Sequence, residues 1–321
     1  MSEPAPRCFL CGGRALAPTQ RRLRWPDGFE RRFALACGFC GVLTDGEPGG
    51  PALGHLAEAL VGDRFHLARE APYGLDIFTL RAAATRWRRA AHPADGAQRE
   101  ALRDPHGDLA AAARLEDLRA GGGPGVAVGL ACRARERGDA LAALRPHLAW
   151  ADAIVVLVDG AGADEACEPR VRLAHRPMDG DFASQRNALQ DLSPAPWMLQ
   201  LDADETLAPE TGALVPALAG LAEAGGAVSV GLARRNLVDG ILADLFPDTQ
   251  YRLNRREVRF RGTVHERPDR PWQRSLLALH GAIDHHLPRA HVESRSQRYE
   301  ALAPGRGRLD EAEALLQPFR A

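Results

Sequence analysis

The sequence contains no lysine: all 41 of its Lys/Arg positions are arginine, in a chain of 321 residues. That absence excludes Schiff-base chemistry on a lysine amine and the phosphate-gripping lysine of a P-loop. With the richness in Ala, Gly and Arg, it matches the coding bias of a GC-rich, bacterial-type genome. No apolar run approaches the roughly 18 residues of a membrane-spanning helix. The longest, Ala153–Val158, is strand-sized. The opening MSEPAPRCFLCGG has no hydrophobic signal region and its first charge is acidic, so the expected location is the cytoplasm. A charge excess is missing too: 41 cationic against 42 acidic side chains leaves −1, against a general nucleic-acid or membrane-surface binder.

What remains is an ordinary globular balance, 45% hydrophobic and 26% charged, with length enough for about two domains. Six cysteines in a cytoplasmic chain read as metal ligands or buried thiols rather than disulfides. Four fall into two CxxC pairs, Cys8/Cys11 and Cys37/Cys40, each followed by glycine. Four thiolates so spaced match a tetrahedral Zn²⁺ site. Between them, Pro26-Asp27-Gly28 is a turn signal between strands. The expectation is a zinc ribbon over residues 1–48, stabilised mostly by its metal. Cys132 and Cys167 are unpaired and read as small buried hydrophobes.

Residues 49–124 read as a helical connector. Leu53–Leu60, Phe78–Arg89 and Leu109–Leu118 carry apolar residues at three- and four-residue spacing, and Gly121-Gly122-Gly123-Pro124-Gly125 is the expected linker. From 125 to 290 a strand–helix–strand rhythm takes over. Val126–Cys132, Ala153–Val158, Arg170–Leu173 and Trp197–Leu201 read as strands, and Asp139–Arg145 and Phe182–Leu192 as helices. Continuous apolar strands between helices predict an α/β fold, a mostly parallel sheet flanked by helices. Residues 291–321, with Leu309–Leu316, read as a solvated capping tail.

In such sheets chemistry gathers at the carboxyl ends of strands. Two acidic motifs fall there, Asp159 and Asp202-Ala203-Asp204-Glu205. Two hard oxygen ligands just after a buried strand suit a divalent cation that bridges a diphosphate, and Arg186 upstream can grip phosphate in bidentate fashion.

The segment FASQRNALQDLSPAPWMLQLDADETL resembles family 2 glycosyltransferases, in their lipopolysaccharide-core-type branch, with its F-A-x-x-R-N and D-A-D-E signatures. Tyr251-Arg252-Leu253-Asn254-Arg255 and Phe260-Arg261-Gly262-Thr263-Val264-His265-Glu266 resemble that branch's R-L-F-R-N and F-x-G-x-V-H-E. The similarity covers about residues 125–290. The resemblance implies a GT-A (Rossmann-like) fold and inverting transfer of a sugar from a nucleotide-diphosphate sugar to a glycan, lipid or peptide hydroxyl. It implies Mg²⁺ or Mn²⁺ on Asp202 and Asp204, Arg186 and Asn187 near the nucleotide, Asp159 on the nucleoside, and Glu266, beside His265, as general base. Two motifs depart from the family. Its D-x-G-S-x-D turn reads Asp159-Gly160-Ala161-Gly162-Ala163-Asp164, without the serine. Its first-strand acidic residue is absent unless a displaced Glu136 serves.

Other readings compete. Asp202-Ala203-Asp204-Glu205-Thr206 also spells the D-x-D-x-T of haloacid-dehalogenase-like phosphatases, but two strands precede it and the acidic partner motif is missing. An EF-hand fails at Leu207 and Ala213, where glycine and glutamate belong. One of His280, His285 and His286 can be a third metal ligand or a structural histidine. Arg252, Arg255, Arg256, Arg259 and Arg261 form either a solvated edge or an anion clamp. A ribbon joined to a degenerate nucleotide-sugar fold can also be a non-enzymatic adaptor. Arg21, Arg22, Arg24, Arg31 and Arg32 would be its nucleic-acid contacts, a partner that the lack of interleaved aromatics disfavours. Peripheral membrane association stays open.

Overall fold

The computed structural model describes residues 6–46, 50–262, 265–302 and 309–320. The chain divides into two compact units, one holding Met1–Leu118 and Leu276–His280, the other Arg119–Ser275 and Gly281–Arg320.

In the first unit the two CxxC knuckles are held by short antiparallel strands, Leu16–Pro18 against Leu35–Cys37 and that against Leu43–Thr44. The hairpin predicted at Pro26-Asp27-Gly28 joins Arg22–Arg24 to Glu30–Arg32, closed by Trp25 N–H donating to the Phe29 carbonyl at 2.8 Å. Residues 49–124 are not the helical connector that the apolar spacing predicts. Helices Gly50–Ala59, Ile77–Thr85 and Gly96–Ala101 alternate with an antiparallel sheet of Arg64–His66, Ala112–Asp117 and Arg89–Pro93. Leu109–Leu118 was expected to be helical, yet its centre is a strand. Ala113 and Leu115 are buried while Arg114 and Glu116 are exposed, a period of two that an alanine-rich stretch disguises. The four knuckle cysteines, Leu10, Leu23, Leu56, Phe65 and Tyr73 share one hydrophobic core with these elements.

The second unit is built on a ten-stranded sheet. Its centre is parallel, in the order Val171–His175, Ala153–Asp159, Val126–Arg133, Trp197–Leu201. Antiparallel strands extend it, Glu165–Glu168 at one edge and Asp248–Arg255, Ser229–Val238, Ser275–Leu287 and Glu205–Leu207 on the other side, with Ile241–Leu242 on Ser229–Val238. The chain leaves Val126–Arg133 through helix Arg137–Leu144 to Ala153–Asp159 on one side. It returns through helix Phe182–Leu192 to Trp197–Leu201 on the other. With right-handed crossovers this makes the gap between Val126–Arg133 and Trp197–Leu201 a topological switch point, where α/β sheets open a crevice at their carboxyl ends.

Helix Phe182–Leu192 follows from its sequence. Asp181 caps it, accepting from Ser184 N–H at 3.1 Å, and the turn before Pro194 ends it. It buries Ala183, Gln185, Arg186, Leu189 and Gln190. Leu189 packs with Ala127, Val155, Leu157 and Met198, burial worth about 2 kcal/mol. Gly129 makes room: a β-carbon there would lie 2.9 Å from Met198 Cε and 3.3 Å from Leu189 Cδ2. The expected linker is tied down as well. Gly121 N–H donates to the Ala213 carbonyl at 3.1 Å, and Gly123, at φ 130°, has backbone of Pro216 where a β-carbon would go. Helices Arg289–Leu302 and Leu309–Leu316 are more than a solvated tail. Val292 and Leu315 join Val238, Ala243 and Leu287 in a cluster. Among the described residues, no helix is long and apolar enough to cross a membrane.

Candidate active site and cysteine cluster

A cavity of about 1110 Å³ opens at the carboxyl ends of the parallel strands. Cys132 and Arg133 end one strand at its wall, Asp159 ends the next, and Asp202 and Asp204 follow the third. Glu266 and His265 complete the wall from a distant segment; the preceding Thr263 and Val264 lie outside the described residues. His265 adopts φ 53°, a left-handed backbone that a non-glycine residue seldom takes.

Arg186 joins the two acidic groups. Its Nε donates to Glu266 Oε1 at 2.5 Å, its Nη2 to Asp202 Oδ1 at 2.7 Å, and its Nη1 to Gln200 Oε1 at 3.4 Å. Arg252 donates to the other Asp202 oxygen and, at 2.9 Å, to Glu205 Oε1. Arg234 reaches Glu205 Oε1 at 3.1 Å and Asp248 Oδ2 at 2.5 Å. Burial would push the Asp202 carboxyl up, but Arg186, Arg252 and Arg234 hold it below the usual carboxylate range. Asp248 follows the same logic, burial being outweighed by Arg234 and Asn236. Burial would also weaken the charge of Arg252, yet Asp202, Glu205 and Glu266 hold it above the ordinary guanidinium value.

Asp204 faces elsewhere. Its Oδ2 lies 3.3 Å from His285 Nε2, and its backbone carbonyl accepts from His286 N–H at 2.9 Å. Burial opposes its ionisation, while His285 draws the carboxyl below its ordinary value. Of the three candidate histidines, His285 is the one whose ring reaches an acidic side chain of the motif. His286 Nε2 meets Thr206 Oγ1 at 2.9 Å, and His280 belongs to the first unit.

The other sequence candidates separate. Asn187 does not line the cavity: its amide donates to the Phe260 carbonyl at 3.1 Å and its oxygen accepts from Phe260 N–H at 2.7 Å. Asp159 accepts from Met178 N–H at 2.9 Å at the cavity edge. Glu136 lines the cavity and accepts from Arg133 N–H at 3.0 Å. Of the arginine stretch only Arg252 reaches the site. Arg255 pairs with Glu223, Arg259 with Asp191 and Arg261 with Asp269. Sequence reasoning gave no role to Gln200, inside the quoted motif segment, nor to Arg234, Asn236 and Asp248, which lie in strands without a motif of their own. A buried polar residue inside an apolar strand, as Gln200 in MLQLD, is the signal that was available.

In the first unit the Sγ atoms of Cys8, Cys11, Cys37 and Cys40 all lie within 4.8 Å of one another. Cys8 to Cys40 and Cys11 to Cys37 are each 3.7 Å. A tetrahedron with Zn–S bonds of about 2.3 Å has edges of about 3.8 Å, so the four thiols fit a zinc ion. Hydrogen bonds among the thiols draw Cys8 and Cys37 down and push Cys11 up, while burial above all raises Cys40. The ribbon arginines are largely engaged: Arg21 with Asp76, Arg22 with Glu30, Arg24 with Asp108 and Arg31 with Asp45.

No protein-family model matches the chain, and none of the curated proteins matches it in sequence. Among solved structures it is similar to the crystal structure of S. aureus TarS 1-349, alone and in complex with UDP. Each match has a TM-score of 0.34 and 10% identity, covering 60% of this chain and 69% of that one. It is similar as well to the crystal structure of S. aureus TarS, at a TM-score of 0.33 and 11% identity, covering 60% of this chain and 42% of that one.

Proposed function

We propose that the second unit is a metal-dependent, inverting glycosyltransferase acting on a nucleotide-diphosphate sugar, and that the cysteine cluster of the first unit holds a structural zinc. The observation that carries this reading is the convergence of Asp202, Asp204 and Glu266 on one cavity at the carboxyl ends of the parallel strands. Its volume suits a nucleotide sugar. Carboxylates outnumber guanidinium groups along the cavity wall, an acidic excess that suits a divalent cation. Bound at Asp204 and His285, Mg²⁺ or Mn²⁺ would offset the charge of the departing diphosphate.

In this reading Glu266 takes the proton of the acceptor hydroxyl as that oxygen bonds to the anomeric carbon and the bond from carbon to phosphate oxygen breaks. Among the described residues Glu266 Oε2 has no polar partner, while Oε1 is held by Arg186, so one oxygen is free to accept the proton. Asp159 and the Met178–Gly180 segment beside it would receive the nucleoside. Where the family has serine, Gly162 stands: a β-carbon there would lie 2.4 Å from the His175 ring, so the histidine fills that space. This alteration of the nucleotide side favours a changed donor preference. It is also the observation behind a second reading, a catalytically degenerate binding protein.

A thermal-shift screen of UDP-, GDP- and dTDP-sugars, with and without Mn²⁺, tests the proposal. A shift with one nucleotide that needs Mn²⁺ and is absent in Asp204→Ala supports transfer, since binding to the native state raises the midpoint. No shift with any donor, from folded and zinc-loaded protein, favours the degenerate reading.

A further inference from the structure

We propose that Thr85 and Arg86, in the first unit, are positioning residues for the cavity of the second. They hold the first half of a strand whose second half carries His285 and His286, and so make that wall of the cavity depend on the cysteine cluster. The inference rests on the zinc reading for the metal, and on the transfer reading only for the ligand used in one arm of its test.

The strand Ser275–Leu287 is 13 residues long and is divided between the units: Leu276–His280 belongs to the first, and the residues from Gly281 on to the second. The first unit grips its part specifically. Leu277 and Leu279 pack against the core that holds the four cysteines. Leu279 N–H donates to Thr85 Oγ1 at 2.8 Å. That hydroxyl is fully buried and gives its own hydrogen to the Ala82 carbonyl at 2.6 Å, so toward the strand it can only accept. The neighbouring Arg86 carbonyl lies 3.4 Å from His280 Nδ1. The Arg86 guanidinium donates at 2.9 Å to the carbonyl of Leu10, inside the Cys8–Cys11 knuckle. One helix end therefore ties a cysteine knuckle to the strand.

The second unit fixes the rest. Gly281 takes φ 73°, and a β-carbon there would lie 2.4 Å from Thr211 Cγ2, so the strand passes a point that suits only glycine. Beyond it Ile283, Asp284 and His285 pair with Leu207, Thr206 and Glu205, and His286 N–H donates to the Asp204 carbonyl at 2.9 Å. The partner strand in this ladder is 3 residues long. Side chains alternate along a strand, so a slip of one residue would turn the His285 ring, 3.3 Å from Asp204, to the opposite face. An anchor earlier in the same strand, at Leu279 and His280, opposes that slip. Thr85 and Arg86 thus act on the cavity through the backbone of the strand, without touching any group in it.

The test follows hydrogen–deuterium exchange by peptide in the full, zinc-loaded chain. The binding probe is Mn²⁺ with whichever of uridine, guanosine and thymidine diphosphate the wild type takes up. Thr85→Val keeps the shape of the side chain and removes the acceptor. It should retain its zinc and speed exchange in residues 281–287 about fivefold, the weight of one hydrogen bond, with residues 126–201 unchanged. Affinity for the probe should fall by a similar factor. Thr85→Ser keeps the hydroxyl and should restore both, which separates positioning from loss of fold. Removal of zinc should speed exchange through residues 276–287 ahead of residues 126–201. Wild-type exchange in residues 281–287 of Thr85→Val overturns the inference, as does a rise spread evenly over residues 126–201. A chain that takes up no zinc, or whose residues 276–287 are unmoved by its removal, overturns the link to the cysteine cluster. A wild type that binds none of the diphosphates counts against the transfer reading, and exchange alone then decides the positioning.

Discussion

Arg186 Nε lies 2.5 Å from Glu266 Oε1, a pairing of residues 80 apart in the sequence. The same guanidinium reaches Asp202 at 2.7 Å, so one planar group sets the spacing between the proposed base and the acidic motif at the strand end. A planar fork with several fixed donors can do this; a point charge cannot. In a chain without lysine, every permanently charged side-chain cation at the cavity is of the forked kind.

Arg186→Lys should therefore keep the fold and lose function. The expected result is a midpoint within a few degrees of wild type and donor turnover lowered at least about 100-fold, as misplacement of catalytic groups by about 1 Å costs. Arg186→Ala leaves Glu266 without its hydrogen bond and one oxygen of Asp202 unpaired, and should cost about 3–5 kcal/mol in urea denaturation. Turnover of the lysine variant equal to wild type would remove Arg186 from its organising role.

Removal of metal from the cysteine cluster should unfold the element that holds it. A strong chelator, or Cys37→Ser, is expected to lower the melting midpoint and release one zinc per chain, counted with a colorimetric dye, while exposing thiols to a maleimide. Protein that carries no zinc yet melts as sharply and as high as the loaded form would contradict a structural metal.

Acid should erase the contribution of Asp248. Its carboxyl is held below the ordinary value, so the stabilisation is fully present above about pH 4, the unfolded carboxyl's range, and is lost as pH falls through the lower folded value. Asp248→Asn should cost about 1–3 kcal/mol at pH 7. The gap between the two proteins in urea midpoint should narrow below pH 4. A gap that widens on acidification would refute this assignment.

Gly129 is required by packing. A valine there must displace Met198 or Leu189, and the expected loss is about 1–3 kcal/mol, with helix Phe182–Leu192 shifted away from the sheet. Because that helix carries Arg186, donor turnover should fall more than stability alone explains. Circular dichroism melts together with turnover check both parts.

Much of the second unit could be read from local pattern. Helix Phe182–Leu192 matches its predicted limits, and so does strand Trp197–Leu201, because a capping aspartate, a following proline and an unbroken apolar run are local signals. The four cysteines come together as their spacing predicts. What local pattern could not supply were partners chosen by tertiary contact. Asn187, expected near the nucleotide, clamps the Phe260 backbone, and Asp202, expected as a cation ligand, also accepts from two arginines. Arg234 and Asn236 meet the site only because antiparallel strands fold beside Trp197–Leu201, a register that no short motif encodes. The Ala112–Asp117 strand was missed because alanine fits both periods, and pairing with Arg89–Pro93 decided between them.

The joining of Asp204 to the strand end at His285 and His286 has a kinetic consequence. The cavity's ion pairs span 80 residues from Arg186 to Glu266, 50 from Asp202 to Arg252 and 81 from Asp204 to His285. Each such closure costs chain entropy before the contact repays it, as does the pairing of Val126–Arg133 with Trp197–Leu201. The parallel centre of the sheet, complete by Leu201, can form while the pocket still lacks its far wall. The pocket therefore stays without its far wall until the chain through residue 286 has folded back onto the end of the parallel sheet.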